Sequence, residues 1–404
     1  MSQSLKILTA ILVVFLLKVV VLLFGDITPE TFENTEIAKN YLASGEMYYL
    51  LDGNVDYNHQ FPFYGWIFIL FFKIFGVSLL PVQILQIFLN ALFSWVVYRT
   101  TVLWFPDLAR KTWIVFSLLI ISLFHPLLLY YQLYTIHPIT LDVLIFASLL
   151  FVSLYWCKHY SIKTSVVLLI VLGITLLERS TLAVAILPSI LLSVKNKDQL
   201  FRISIIMTLA IMVFAGPWII RNHYYTGKIQ MTSGTWRYLW VGIQEETDGT
   251  NVLPNGESYY ALFPKEIGDN WSGKNLNQQL DFYKINYLMT WDESPTHVLK
   301  MWGVKIKNMF WFSSSAGGIH KDSIWVSIYK FLQLVLLVFV MIGLFVKRDS
   351  KLWLLFSACL ALVLIQSFFY VETRHALPFH FIWWIGMFLV MEWLFSMKGK
   401  SVSE

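Results

Sequence analysis

Long blocks of predominantly apolar residues constrain this chain more than anything else in its sequence. They occupy residues 7–25, 77–105, 203–220, 324–346 and 379–395. A helix needs about 20 apolar residues to cross the hydrocarbon of a bilayer, whereas a barrel strand would alternate apolar and polar residues over about ten. These blocks do not alternate. Because a spanning segment must satisfy its own backbone inside lipid, they predict transmembrane helices. Composition agrees, since 57% of the 404 residues are hydrophobic and 14% charged, against roughly 45–50% and about 25% in soluble domains. The fold class expected is an all-α polytopic membrane protein.

The connections sort the spans. Basic loops at Arg110–Lys111, Lys158 to Lys163, Lys195 to Arg202, Lys347 to Lys351 and Lys398 to Lys400 belong on the cytoplasmic side, with Lys6, by the positive-inside rule. Acidic or aromatic connections belong outside: residues 26–61, 131–138, 178–180, 221–323 and 371–378. Alternation then requires ten spans with both termini inside. Residues 63–76 are too short for a further span and read as a re-entrant or interfacial helix. The chain divides into a helical module over residues 1–220 that includes the first outer loop (26–76), an extracytoplasmic region at 221–323 and C-terminal helices at 324–404. The first apolar stretch reads as a span and not as a cleaved signal, because no small-residue site precedes Asp26. The net charge of +5 is spread over short loops, which excludes a nucleic-acid patch. Cys157 and Cys359 fall in or beside spans and imply no disulfide framework.

Candidate chemistry lies at the outer ends. The first loop carries Asp26, Glu30, Glu33, Glu36, Glu46, Asp52 and Asp56 against a lone Lys39. Residues 29–43 are expected to form a helix, with Thr28 as N-cap, Pro29 in its first turn and Gly45 ending it. Glu33 and Glu36, three apart, would share a face. Such a loop serves either as a solvated acidic surface or as a source of a catalytic base. Ionisable groups near membrane depth carry functional weight by default: Lys18, Asp142, the pair Glu178–Arg179, and Glu372 with Arg374. Lys18 could equally snorkel to the headgroups, and Glu178–Arg179 could be a local ion pair. In the run from Gly216 to Asn222, Pro217 should kink or end the seventh span, leaving Arg221 at headgroup height as a phosphate ligand or a simple anchor. His59, His125, His137, His320 and His375 show no paired metal-ligand spacing. A divalent ion on the first-loop acids is left open, and no cofactor is called for. There is no Gly-rich phosphate loop and no G-x-S-x-G, which points away from soluble nucleotide sugars.

These pieces together resemble the GT-C glycosyltransferases, and in particular bacterial relatives of glycosyltransferase family 39. That group includes dolichyl-phosphate-mannose protein mannosyltransferases and the aminoarabinose transferases that modify lipid A. The resemblance rests on the run Phe32 to Asn40 followed by Gly45 and Tyr48, on Phe61–Pro62–Phe63–Tyr64 followed by Phe75–Gly76, on Gly173 to Arg179 to Leu182, on Pro217–Trp218 to Arg221–Asn222, and on Glu372 to His375 before Pro378. Their order along the chain carries the match more than any one string. Departures include Gly65 where a second proline is usual, Gly242–Ile243–Gln244 where "G-N" is common, and His375 in place of an aromatic residue. They bear on the acceptor more than on the reaction class.

The resemblance implies a polyprenyl- or dolichyl-phosphate sugar donor, transfer on the extracytoplasmic face of a plasma membrane, and a first-loop acid as base. Carried over residue by residue, the base falls on Glu33, with Glu36 and then Glu30 or Asp26 behind it, and Asp142 as a further acid. Arg221, Arg374 and Arg179, with Lys18, are the candidates for the donor phosphate. The acceptor could be a glycan, a lipid or a protein. The rival readings are a transporter or flippase of lipid-linked sugars, which should carry internal repeats and mid-membrane charges, and a polymerase of such saccharides.

Overall fold

The computed structural model describes residues 3–51, 53–253, 257, 274–310 and 324–401. Asp52, His320 and part of the stretch 221–323 lie outside the described residues, as do the side chains of Lys398 and Lys400. The chain opens on α1 (Gln3–Phe24). A first loop follows with strand β1 (Glu30–Thr31), helix α2 (Glu33–Ser44), the hairpin β2–β3 (Tyr49–Leu51, Asn54–Asp56) and helix α3 (Pro62–Phe75). Next come α4 (Leu80–Trp104), the short α5 (Pro106–Ala109), α6 (Thr112–Phe124), α7 (Pro126–Leu133), strand β4 (Thr135–Ile136) and α8 (Ile139–Lys158). Helix α9 (Ile162–Arg179) runs through a 3-10 turn at Ser180–Ile186 into α10 (Leu187–Ser193), and α11 (Lys197–Ala210) runs through a π turn at Ile211–Ala215 into α12 (Gly216–Thr226). Helices α13 (Thr235–Val241), α14 (Leu276–Glu293) and α15 (Pro295–Phe310) precede α16 (Ile324–Met341), α17 (Ser350–Gln366) and α18 (His380–Ser401).

Among the described residues, seven helices are long and apolar enough to cross a membrane, or eight if the bent pair α6–α7 is one broken span. One of the seven, Ile162–Ser193, is 32 residues long, and it reverses. Arg179 pairs with Asp142 near the start of α8 at 3.2 Å. At the far end of α8, Trp156 Nε1 donates to Ser165 at 2.8 Å, and Cys157 Sγ lies 3.9 Å from Ser193 Oγ. The first and last residues of the stretch therefore share one end of the bundle, and α10 returns beside α8. Helix α17 is short but also runs end to end, from the Trp104 contact with Lys351 O (3.3 Å) to the Thr181 contact with Gln366 (3.5 Å). Both segments thus run between the two ends of the bundle, in which seven or eight described helices are long and apolar enough to cross a membrane. Helix α3, 14 residues long, packs on α2 and α9.

The two ends of the bundle differ in chemistry. Lys111 pairs with Glu392 at 2.7 Å, Lys158 donates to Leu103 O at 2.7 Å, Arg202 meets Tyr160, and Lys351 sits by Trp104. The basic loops thus gather at one end. The first loop, the start of α8 and the residues around 372–375 gather at the other.

Local chemistry explains where the elements depart from expectation. Helix α2 begins at Glu33 and not at residue 29, because Glu30–Thr31 is taken up in a parallel pairing with Thr135–Ile136. It ends as expected at Gly45, whose φ of 81° permits the left-handed cap. Pro217 does not end its helix. The π turn just before it absorbs the missing N–H, and the helix continues to Gly227, with φ 71°. Beyond it, α13, α14 and α15 meet over a small core of Trp240, Val241, Ile243, Tyr283 and Val298.

Pro126 breaks the helix between α6 and α7, which frees the carbonyl of Leu123. Lys18, on α1, fills that gap. Its ammonium donates to Leu123 O at 2.5 Å, Asn90 Oδ1 at 2.9 Å and Gln132 Oε1 at 2.8 Å. Lys18 is buried and does not snorkel. It joins α1, α4, α6 and α7 where a helix is discontinuous. Substitution Lys18→Met should leave three buried acceptors unpaired and cost about 3 kcal/mol of stability. The expected result is a clear fall in the thermal unfolding midpoint of the detergent-solubilised protein; an unchanged midpoint would show that the network contributes nothing.

Candidate active site

A cavity of about 700 Å³ opens at the end of the bundle away from the basic loops. Its walls come from the start of α2 (Glu33), the first loop (Tyr49, His59, Tyr64), the approach to α8 (His137), the turn after α9 (Glu178, Arg179, Thr181), the segment before α13 together with α13 itself (Thr232, Arg237), and residues 366–375 (Glu372, Arg374, His375).

Glu33 owes its place to the two-residue pairing of β1 with β4. Chain polarity is parallel there, so β1 delivers Glu33 to the first position of α2, while β4 delivers His137 to the approach to α8. Phe32 packs edge-on against His137, with ring centroids 5.6 Å apart. Glu33 is partly buried, lines the cavity and makes no hydrogen bond or ion pair with any described residue. Its carboxylate is free to act on whatever enters.

Arg179 ends α9 in extended conformation and turns its guanidinium into the wall. Behind it lies Asp142, fully buried, 3.2 Å away. The contact is an ion pair without an aligned hydrogen bond, since both Asp142 oxygens lack a hydrogen-bonding partner. Arg179 thus pairs with Asp142 and not with its neighbour Glu178, whose buried Oε2 is itself unpartnered. In the segment before α18 Arg374 pairs with Glu372 at 2.9 Å and keeps Nε unpartnered. His375 Nδ1 accepts the Glu372 N–H at 3.1 Å, which fixes that turn.

The cavity therefore brings together Glu33, Arg179 and Arg374, with Asp142 directly behind. Glu36, on the same helix as Glu33, does not line it, and Glu30 is exposed on β1. Lys18 serves the α6–α7 break. Arg221 also lies outside the cavity walls. Its guanidinium donates to Tyr57 O at 2.5 Å and Met47 O at 2.9 Å, and it stacks on Trp218 and Tyr225 at 4.5 and 4.7 Å. It fastens the first loop to α12. Among the described residues no group of three or more His, Cys, Asp or Glu is disposed to hold a metal ion.

Two contributors escaped sequence reasoning. Arg237 sits in a Thr-Trp-Arg-Tyr run with no distinguishing pattern. His59 and Asp56 were seen only as a scattered histidine and one acid among seven, yet they form a buried contact at 3.1 Å. Burial alone would raise the Asp56 carboxyl, but the hydrogen bond and charge of His59, then Ser233 and the Asn58 N–H, hold it below its ordinary value. The three-residue spacing of Asp56 and His59, just before Pro62, was the only available signal.

The sequence matches no protein-family model, and no curated protein matches it. Two solved structures resemble it, both of ArnT from Cupriavidus metallidurans. The apo form aligns with a TM-score of 0.43 at 13% identity, over 94% of this chain and 76% of that one. The form bound to undecaprenyl phosphate aligns with a TM-score of 0.41 at 14% identity, over 94% and 77%.

The Arg221 contacts generate a test of their own. Substitution Arg221→Ala removes two carbonyl contacts and two stacked rings, with an expected cost of about 2 kcal/mol. Limited proteolysis should then cut between residues 45 and 60 faster than in the unaltered protein. An unchanged cleavage rate would show that the loop is held elsewhere.

Proposed function

We propose that this chain is an integral membrane glycosyltransferase that moves a sugar from a polyprenyl-phosphate donor to an acceptor hydroxyl or amide, with inversion, at the extracytoplasmic face. What carries the reading is the cavity itself. An unpartnered carboxylate, Glu33, shares one chamber with the guanidiniums of Arg179 and Arg374, with Arg237 also in the wall, at the end of the helix bundle opposite the basic loops. The positive-inside rule turns that end away from the cytoplasm, and the sequence pattern of the first loop points to the same chemistry.

In this reading Glu33 is the base. The acceptor's proton passes to Glu33 as its heteroatom attacks the anomeric carbon on the face opposite the phosphate. The bond from that carbon to the phosphate oxygen breaks, and polyprenyl phosphate departs with the electron pair. Arg179 and Arg374 meet its growing negative charge. We assign the phosphate to these two because Arg221 and Lys18 direct their charges at backbone and amide oxygens. Asp142 keeps Arg179 aimed, and Glu372 does the same for Arg374. A guanidinium at membrane depth is costly unless paired, so each of the two has a carboxylate beside it. Neither a nucleotide nor a soluble donor is needed.

The test measures transfer of labelled sugar from a polyprenyl-phosphate sugar in membranes. Glu33→Gln should lower turnover by about 10²-fold or more, while Glu36→Gln leaves it within a few-fold. Arg374→Ala and Arg179→Ala should each weaken donor use by roughly 10–100-fold. Full activity of Glu33→Gln removes the base assignment, and no transfer by the unaltered protein removes the function.

A further inference from the structure

The cavity contains three histidines, His59, His137 and His375, and the hydrogen bonds at Nδ1 sort them. At His137, Nδ1 accepts the Ile139 N–H at 3.2 Å. At His375, Nδ1 accepts the Glu372 N–H at 3.1 Å, with Gln366 Nε2 at 3.4 Å. A nitrogen that accepts carries no proton, so in both neutral rings the proton sits on Nε2, which is then a donor. His59 is the reverse. Its Nδ1 faces Asp56 Oδ2 at 3.1 Å.

Asp56 can only receive there. It is fully buried, and its oxygens already take the Asn58 N–H at 3.2 Å and the Ser233 hydroxyl at 2.5 Å. The carboxylate is held ionised, so Nδ1 of His59 must carry the proton. In the neutral ring this leaves Nε2 as a bare lone pair. Tyr49 stacks on the imidazole at 4.3 Å and 24°. The Ser233 N–H donates to Asn58 O at 2.9 Å and ties the supporting segment to the loop. His59 is 3% exposed, lines the cavity, and no described residue donates to Nε2.

We propose that His59 Nε2 accepts a hydrogen bond from a hydroxyl of the sugar-bearing substrate, and that Asp56 is the positioning residue that sets its tautomer. This rests on the transferase reading and deepens it. The cavity's arginines can only donate, and a polyhydroxylated ring also needs acceptors. Glu33 supplies one for the reacting proton; His59 supplies one for a hydroxyl that does not react. An aspartate–imidazole contact that fixes which nitrogen carries the proton is a known device for presenting a lone pair.

The experiment compares His59→Ala, His59→Gln, Asp56→Asn and Ser233→Ala for transfer from undecaprenyl-phosphate hexose in membranes, with thermal unfolding of each purified protein alongside. An asparagine that keeps the Asn58 N–H on its oxygen turns its amide NH₂ towards His59 and reverses the tautomer. Expected are a loss of about 30-fold for His59→Ala and Asp56→Asn, partial recovery in His59→Gln, which retains an acceptor oxygen, and a few-fold effect at most for Ser233→Ala. A second arm locates the hydroxyl by comparing thermal stabilisation by undecaprenyl-phosphate hexose with that by undecaprenyl phosphate. If His59→Ala loses the difference between the two lipids, the hydroxyl belongs to the donor sugar. If the difference is kept while transfer falls, it belongs to the acceptor. Transfer at the unaltered rate in His59→Ala and Asp56→Asn overturns this inference alone, as does a loss that only tracks unfolding. Absence of transfer by the unaltered protein overturns both readings.

Discussion

The ion pair of Arg179 with Asp142 is the contact on which the working end of this molecule depends. Two charges removed from water gain little net stability from each other, but one of them left alone would be severely destabilising. The pair therefore specifies position more than it adds stability. It stops α9 at Arg179, where the chain turns through Ser180–Ile186 and descends again. It clamps the top of α9 to the top of α8, and so fixes the turn that supplies Glu178, Arg179 and Thr181 to one wall of the cavity. Because Asp142 lies behind, with no surface of its own, the guanidinium keeps its other edge for the cavity.

The same economy governs the first loop. A loop of some thirty residues with seven acids would not hold a catalytic geometry by itself. Three anchors hold it. Glu30–Thr31 pairs with Thr135–Ile136, Arg221 takes the carbonyls of Met47 and Tyr57, and Asp56 gathers Asn58, His59 and Ser233. Each anchor uses a different part of the chain, from β4, α12 and the segment before α13. Glu33 lies beside the first and His59 within the third. The order in which the membrane helices are threaded thus reaches the cavity through the loop.

What the sequence made legible follows from what each signal depends on. Apolar block length and loop charge depend on the bilayer alone, so the apolar helices, the gathering of the basic loops at one end and the short α3 could be read directly. The reversal of the chain between α9 and α10 was legible too, because lysines bracket the pair on both sides. Helix α2 was placed four residues early, since nothing local announces a two-residue strand pairing with residues a hundred positions away. Glu36 shared a helix with Glu33 but not a wall. Arg221 was an ambiguous signal: an arginine after Pro-Trp at headgroup height fits a phosphate and equally fits a loop with two free carbonyls, and its guanidinium is engaged by the carbonyls of Tyr57 and Met47. Asp56 and His59 were hidden among other acids and histidines because a tautomer is a property of the network and not of spacing.

The distribution of donors and acceptors is the most informative property of the chamber. Arginine cannot accept a hydrogen bond, and a buried cavity lined only by arginines would suit a phosphate and nothing more. Here the guanidiniums of Arg179 and Arg374 face a region that also holds the carboxylates of Glu33 and Glu178 and one imidazole fixed as an acceptor, while His137 and His375 are fixed as donors. Each of these settings is imposed by a bond on the far side of the ring or guanidinium: the Ile139 and Glu372 amides, and the carboxylates of Asp56, Asp142 and Glu372. Ile139, Asp56 and Asp142 lie outside the cavity walls, whereas Glu372 lines the cavity beside Arg374. A cavity whose polarity is set from behind in this way does not reorganise when it is filled, and that is the condition under which fixed dipoles stabilise a developing charge most effectively. The chemistry proposed for Glu33 needs such an environment, because the phosphate gains charge at the moment the carboxylate loses it. The ion pairs behind the two arginines keep the balance from being met by water.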